Sequence, residues 1–191
     1  ISLISTYLSN CGKVRAMKLY YAPTINARKA CAAAKHLGAP VEYVAVNLQR
    51  SEQRQPPFLA MNPNAKVPVL EMDGETLWES NAIMCALARK TGSDFWPQDE
   101  RHVYVLRWLF WISEPFCRFT ARLYFEHLVK PLFGLGQPDA SKVEEANGFV
   151  RQYGQVLDDH LHGRSFLVGD DPTAADFAVG AALLYAEQSL L

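Results

Sequence analysis

Strand-like runs are confined to the first part of this chain: they recur from Met17 to Trp78, and none follows Gln98. A sequence that loses its strand pattern midway describes an α/β unit followed by an all-helical one. Met17–Tyr21 (MKLYY) is short, apolar and aromatic, and Ala22-Pro23 ends it, so it reads as a buried strand. Behind Asn26, a candidate N-cap, Ala27, Ala30, Cys31, Ala34 and Leu37 fall at helical spacing, and Gly38 with Pro40 stops the segment. That helix has a face of small residues and must pack closely against a neighbour. The β-branched run Val41–Val46 then forms a second strand, parallel to the first across the helix. After a polar loop and a short element, Pro57–Met61, the runs Val67–Glu71 and Thr76–Glu79 flank Asp73-Gly74, a strong hairpin signal. Ser80 is placed to cap a helix over Asn81–Lys90 that aligns Ile83, Met84, Leu87 and Ala88. The order is βαβ-α-ββα.

The rest is helical. Glu100 to about His127 is aromatic-rich and broken near Glu114-Pro115; Asp139–His162 and Ala174–Leu191 follow as two further helices. The expected division is an extension at 1–16 before a start at Met17, an α/β domain at 17–92, a linker at 93–98 and a helical bundle at 99–191. Nineteen Lys and Arg against twenty Asp and Glu give a formal charge of −1, too little positive field for binding nucleic acid. The longest uncharged apolar stretch, Phe177–Ala186, is about half of a membrane span of ~20 residues, so no membrane partner is expected. Cys11, Cys31, Cys85 and Cys117 form no CxxC pair and have no zinc-ligand spacing, which fits a reducing cytoplasm and no metal.

Three places carry candidate chemistry. In the turn Ala22–Arg28, Thr24 and Asn26 stand at a helix N-terminus, where unpaired N–H groups stabilise an anion such as a thiolate. At Lys66-Val67-Pro68 an X-Pro bond permits a cis turn that frees the Val67 backbone for pairing with a peptide-like ligand. Glu79-Ser80 sets a carboxylate and a hydroxyl at a helix start, suited to the ammonium and carboxylate of an α-amino acid group. Taken singly, each also has a purely structural account as a cap or a strand start.

In this order and on this pattern, the three places make the chain resemble the cytosolic glutathione transferases. The resemblance runs through Asn62-Pro63, Lys66–Leu70, Glu79–Ile83, Phe166–Asp170 and Pro172–Phe177, where Thr173 and Asp176 also form an acidic capping box. It implies an α/β thioredoxin-like N-terminal domain, an all-α helical bundle and a homodimer. It also implies a glutathione site: Val67 before a cis Pro68 for the cysteinyl backbone, Glu79 and Ser80 for the γ-glutamyl end, and Lys66 and Gln53 as further polar contacts. No Tyr, Ser or Cys occupies the thiol-activating turn. Thr24 and Asn26 instead resemble the pair of the bacterial nu class, which also reduces disulfides and organic peroxides. Asn26 does not accept a proton, so the expected role is anion stabilisation. Lowering a thiol pKa of about 8.5 by ~2 units takes about 2.7 kcal/mol, within reach of hydrogen bonds of ~1.5–3 kcal/mol each.

The co-substrate implied is a small hydrophobic electrophile, a peroxide or a disulfide, in a cleft lined by the long aromatic helix with Trp111, Arg118 and Arg122 as candidates. The other reading is a non-catalytic module of the same fold, used for dimerisation or assembly. Family members run on past the Asp176 helix, so a truncated C-terminal end is also expected.

Overall fold

The computed structural model describes residues 17–183. The expected extension at 1–16, and the last part of the expected Ala174–Leu191 helix, lie outside them.

Strand β1 (Met17–Tyr21) sits inside a four-stranded sheet of order β2-β1-β3-β4. It pairs in parallel with β2 (Val41–Ala45), Leu19 opposite Tyr43, and antiparallel with β3 (Val69–Met72), Leu19 opposite Leu70. β3 and β4 (Glu75–Trp78) form the expected hairpin, closed by Asp73 at φ 55° and Gly74 at φ 90°. Positive φ at both central residues gives the turn whose twist matches its strands. Helix α1 (Ile25–His36) makes the crossover, and the short α2 (Pro56–Met61) precedes β3. Helix α3 (Ser80–Thr91) follows the hairpin. Ala27, Ala30, Ala33 and Ala34 are fully buried, so the small-residue face of α1 lies close to α3 and to the last described helix. Leu19, Leu70, Ile83 and Leu87 fill the space between sheet and helices.

The helical half begins with α4 (Arg101–Trp111), which passes through a π-helical turn at Ile112–Phe116 into α5 (Cys117–Tyr124). The turn contains Pro115, whose ring and missing N–H prevent a regular α ladder at the expected break. A second π-helical turn, Phe125–Val129, leads to α6 (Lys130–Phe133). Helix α7 (Ala140–Leu161) is capped by Asp139, which accepts from the N–H groups of Ser141 and Lys142. Helix α8 (Ala174–Leu183) starts at the expected box, with its side-chain bond reversed: the Thr173 hydroxyl donates to Asp176 at 2.9 Å, and the Thr173 N–H donates at 2.8 Å. The other Asp176 oxygen accepts from Leu167 N–H at 2.8 Å, so one carboxylate fixes both the helix start and the loop before it.

The two halves share a core. Ala33, Met84 and Ala88 pack in one cluster with Phe95, Trp96, Val105, Trp108 and Ala178. Phe95 and Trp96, in the segment between the halves, are 3% and 6% exposed. The architecture is thus a thioredoxin-like α/β domain followed by a helical domain, as the sequence implies.

Candidate active site and family

Four loop segments of the α/β domain carry the candidate residues. In the β1–α1 turn, the cap is Thr24 and not Asn26: the Thr24 carbonyl accepts from Arg28 N–H, and its hydroxyl oxygen accepts from Ala27 N–H at 3.4 Å. Asn26 lies inside the first turn and is exposed. The expected cap is displaced because Thr24, in extended backbone, can itself reach the free N–H groups.

The start of α3 is displaced in the same sense. Glu79, and not Ser80, holds the cap position, since its carbonyl accepts from Ile83 N–H at 2.9 Å. Its backbone stands at φ 74° and ψ 113°, outside the regions ordinary side chains favour. Such a conformation costs on the order of 1–3 kcal/mol and persists where its surroundings hold it. Ser80 becomes the first helical residue, is buried, and donates its hydroxyl to Asn26 Oδ1 at 3.4 Å. The two expected ligand-binding positions are therefore joined across α1 and α3.

The Val67–Pro68 peptide is cis and leads directly into β3. The loop before it is organised by buried Asn62, whose amide donates to the Lys66 carbonyl at 2.7 Å while its oxygen accepts from Asn64. Lys66 itself is exposed. Gln53 lies on a 3₁₀ turn, Glu52–Arg54, and its Oε1 is buried without a hydrogen-bond partner among the described residues.

Asn81 and Lys29 also lie at the site, with no local sequence signal for the part each plays. Asn81 donates its amide to Ser113 Oγ at 3.2 Å, which ties the start of α3 to the Pro115-containing turn of the helical half. Its Oδ1 is buried and unpaired among the described residues. Lys29, one turn along α1 from Asn26, is 5% exposed, with Glu79 and Cys117 as the charged or titratable groups acting on it. Burial holds its ammonium below the usual lysine range, against the raising influence of those two groups. Burial in turn pushes the Cys117 thiol up, partly offset by Lys29. Cys31 is pushed up to about 11 by burial, so these thiols are packing groups.

Tyr20 does not serve the site: its hydroxyl donates to Glu71 at 3.1 Å, and burial followed by that bond raises its pKa. The candidates on the long helix are dispersed. Trp111 packs against Trp108, Phe116 and Tyr153. Arg118 lies 3.8 Å from Glu114, and Arg122 pairs with Glu145 of α7 at 2.9 Å. Among the described residues no group of three or more His, Cys, Asp or Glu is placed to hold a metal ion, and no helix is long and apolar enough to cross a membrane.

The candidate loops thus sit at one end of a thioredoxin-like α/β domain that packs on a helical domain. Residues 15–89 match the model for the glutathione S-transferase N-terminal domain, and residues 107–190 match the model for its C-terminal domain. Glutathione S-transferase 3 of Zea mays is 34% identical over 84% of this chain and 73% of its own length. The crystal structure of glutathione transferase F7 from Populus trichocarpa superposes with a TM-score of 0.84 at 27% identity, covering 91% of this chain and 84% of that one. A maize glutathione S-transferase I in complex with an atrazine glutathione conjugate gives a TM-score of 0.82 at 26% identity, covering 91% and 82%. The chain belongs to the glutathione S-transferase family.

Proposed function

We propose that this glutathione transferase holds its thiol substrate through the loop ends described above, and stabilises the thiolate with Asn26 and Thr24. Glu79 faces the ammonium of the γ-glutamyl group, which can also donate to the lone pairs of the Ser80 hydroxyl, whose one proton is given to Asn26; the Ser80 N–H and the other first-turn N–H groups of α3 face its carboxylate. The backbone of Val67, before cis Pro68, pairs with the cysteinyl unit, and Lys66 and Gln53 add contacts further along the peptide. The orphaned oxygens of Gln53 and Asn81 suit a ligand rich in N–H donors.

The Ser80–Asn26 hydrogen bond carries the reading. Asn26 Oδ1 already accepts from Ser80, and Thr24 Oγ already accepts from Ala27 N–H, so the amide NH₂ of Asn26 and the O–H of Thr24 are left as donors. Two donors beside a helix N-terminus stabilise a thiolate and do not remove its proton. This is the Thr/Asn chemistry of the nu class. The activated sulfur attacks a small hydrophobic electrophile; with a disulfide or peroxide it would act as a reductant. A non-catalytic scaffold has no use for such a donor set.

The reading extends to a homodimer in a reducing cytoplasm. Val103 and Phe110, 66% and 72% exposed and one heptad apart on α4, offer an apolar surface to a second copy. Calorimetry with glutathione, combined with thiolate absorbance against pH, tests the site. Asn26→Ala is expected to keep binding and raise the bound thiol pKa by about 1–2 units, and Ser80→Ala to weaken binding. A folded protein that binds no glutathione at millimolar concentration overturns the assignment.

A further inference from the structure

The start of α3 is held from two sides. Glu79 opens that helix from a costly backbone conformation, and its side chain makes no capping hydrogen bond. Such a conformation persists where the contacts around it over-determine it. The next two residues supply contacts in opposite directions. The Ser80 hydroxyl reaches Asn26 of α1, and the Asn81 amide reaches Ser113 of the helical half. We propose that Ser113 is a positioning residue for glutathione, acting through Asn81 to fix the first turn of α3 against the γ-glutamyl group. The role rests on the glutathione site proposed above, and brings into it a residue of the other domain.

Asn81 Oδ1 is buried with no donor among the described residues, so Ser113 Oγ, 3.2 Å from the amide nitrogen, decides how this amide is turned. Without that bond neither end of the amide has a partner among the described residues, and the side chain has to move to find one. The movement is passed on directly. The Glu79 carbonyl takes the Ile83 N–H, which leaves the N–H groups of Ser80, Asn81 and Ala82 as the free donors of the first turn. Asn81 thus carries on one residue both the tie to the helical half and a donor for the γ-glutamyl carboxylate.

Ser113 is placed to serve as an anchor. It lies in the π-helical turn Ile112–Phe116, whose Ile112 and Phe116 are buried in the core that both halves share. A π turn re-aims the side chains around it, a device that recurs at functional sites. Four residues on, Cys117 is one of the two groups that act on the buried Lys29 of α1, so this face of the helix is turned to the α/β half. The inner tie, from Ser80 to Asn26, stays in place when the outer one is cut. The loss therefore falls on affinity for glutathione and not on stabilisation of its thiolate.

The test is calorimetry of the whole chain with glutathione, together with thiolate absorbance against pH. Ser113→Ala is expected to raise the dissociation constant about five-fold and to leave the bound thiol pKa within about 0.3 units of the parent value. Ser113→Thr, which keeps the hydroxyl, is expected to bind within about two-fold of the parent. In an Asn81→Ala background, Ser113→Ala is expected to add less than about two-fold. Ser113 is exposed, so neither substitution disturbs the core, and circular dichroism is to match the parent protein. The role is overturned if Ser113→Ala binds as the parent does, if Ser113→Thr loses as much as Ser113→Ala, or if the loss is undiminished without the Asn81 amide. A parent protein that binds no glutathione overturns the site itself, which the other outcomes leave standing.

Discussion

The α/β half and the helical half meet the same geometric need in different ways. Among the described residues, four non-glycine residues have positive φ, namely Ser51, Ala65, Asp73 and Glu79, and all lie in the α/β half. From Gly92 onward the same conformations are taken by glycines alone: Gly92, Gly134, Gly136, Gly163 and Gly169. Three of the four exceptions flank the proposed glutathione contacts: Ser51 precedes Gln53, Ala65 precedes Lys66 and Val67, and Glu79 is itself a contact. A side chain is kept at a costly backbone position where the side chain, or the direction it imposes on its neighbours, is needed. In the helical half nothing but the turn is needed, and glycine makes it at no steric cost.

The comparison can be broken at its strongest joint. Asp176 serves the fold of the helical half through three hydrogen bonds, to Leu167 and Thr173. At ~1.5–3 kcal/mol for a bond to a charged group, partly redundant, Asp176→Ala is expected to cost about 3–5 kcal/mol. A drop in Tm of about 10 °C follows, measurable by calorimetry, while kcat/KM of the folded protein at low temperature stays within about two-fold. If activity falls as steeply as stability, the two halves are not divided in this way.

Glu79→Gly probes the other side. Removing the side chain relieves the backbone but takes away the carboxylate, so KM for glutathione is expected to rise by about ten-fold while Tm rises by a few degrees. A fall in Tm would mean that Glu79 is held there for the fold.

Lys29→Met is the smallest and the most diagnostic. The folded-state pKa of Lys29 is lowered by burial, so the folded protein gives up this proton before the unfolded chain does. Stability linked to Lys29 therefore rises with pH between the lowered value and the unfolded value of about 10.4. The methionine variant is expected to melt a few degrees higher at about pH 7, with the gain shrinking as pH approaches about 10. A gain independent of pH would show that packing, and not the buried charge, sets the difference.

The elements were legible because their signals are local. Asp73-Gly74 specifies its own turn, Pro115 its own break, and the alanine face of α1 its own close packing. The caps fall one or two residues before the expected ones because Thr24, Asn26, Glu79 and Ser80 cluster at helix starts, and local sequence does not say which oxygen reaches which N–H. The link from Asn81 to Ser113, the burial of Lys29 and the conformation of Glu79 depend on residues far apart in the chain or on an unusual backbone, and neither leaves a local trace. The aromatic pattern of the long helix suggests the lining of one cleft, yet its side chains point several ways: Trp111 packs within the bundle while Arg122 reaches α7.

Phe95 and Trp96 carry one more consequence. The segment joining the halves is filled with side chains that both halves grip, so it offers no neutral seam for recombination. A chimera joined between Ala88 and Val105 would match two surfaces that had never been fitted to each other, and would inherit a hole or a clash. Exchange of the α/β half alone would part it from the bundle side chains that Ala33, Met84 and Ala88 are fitted to.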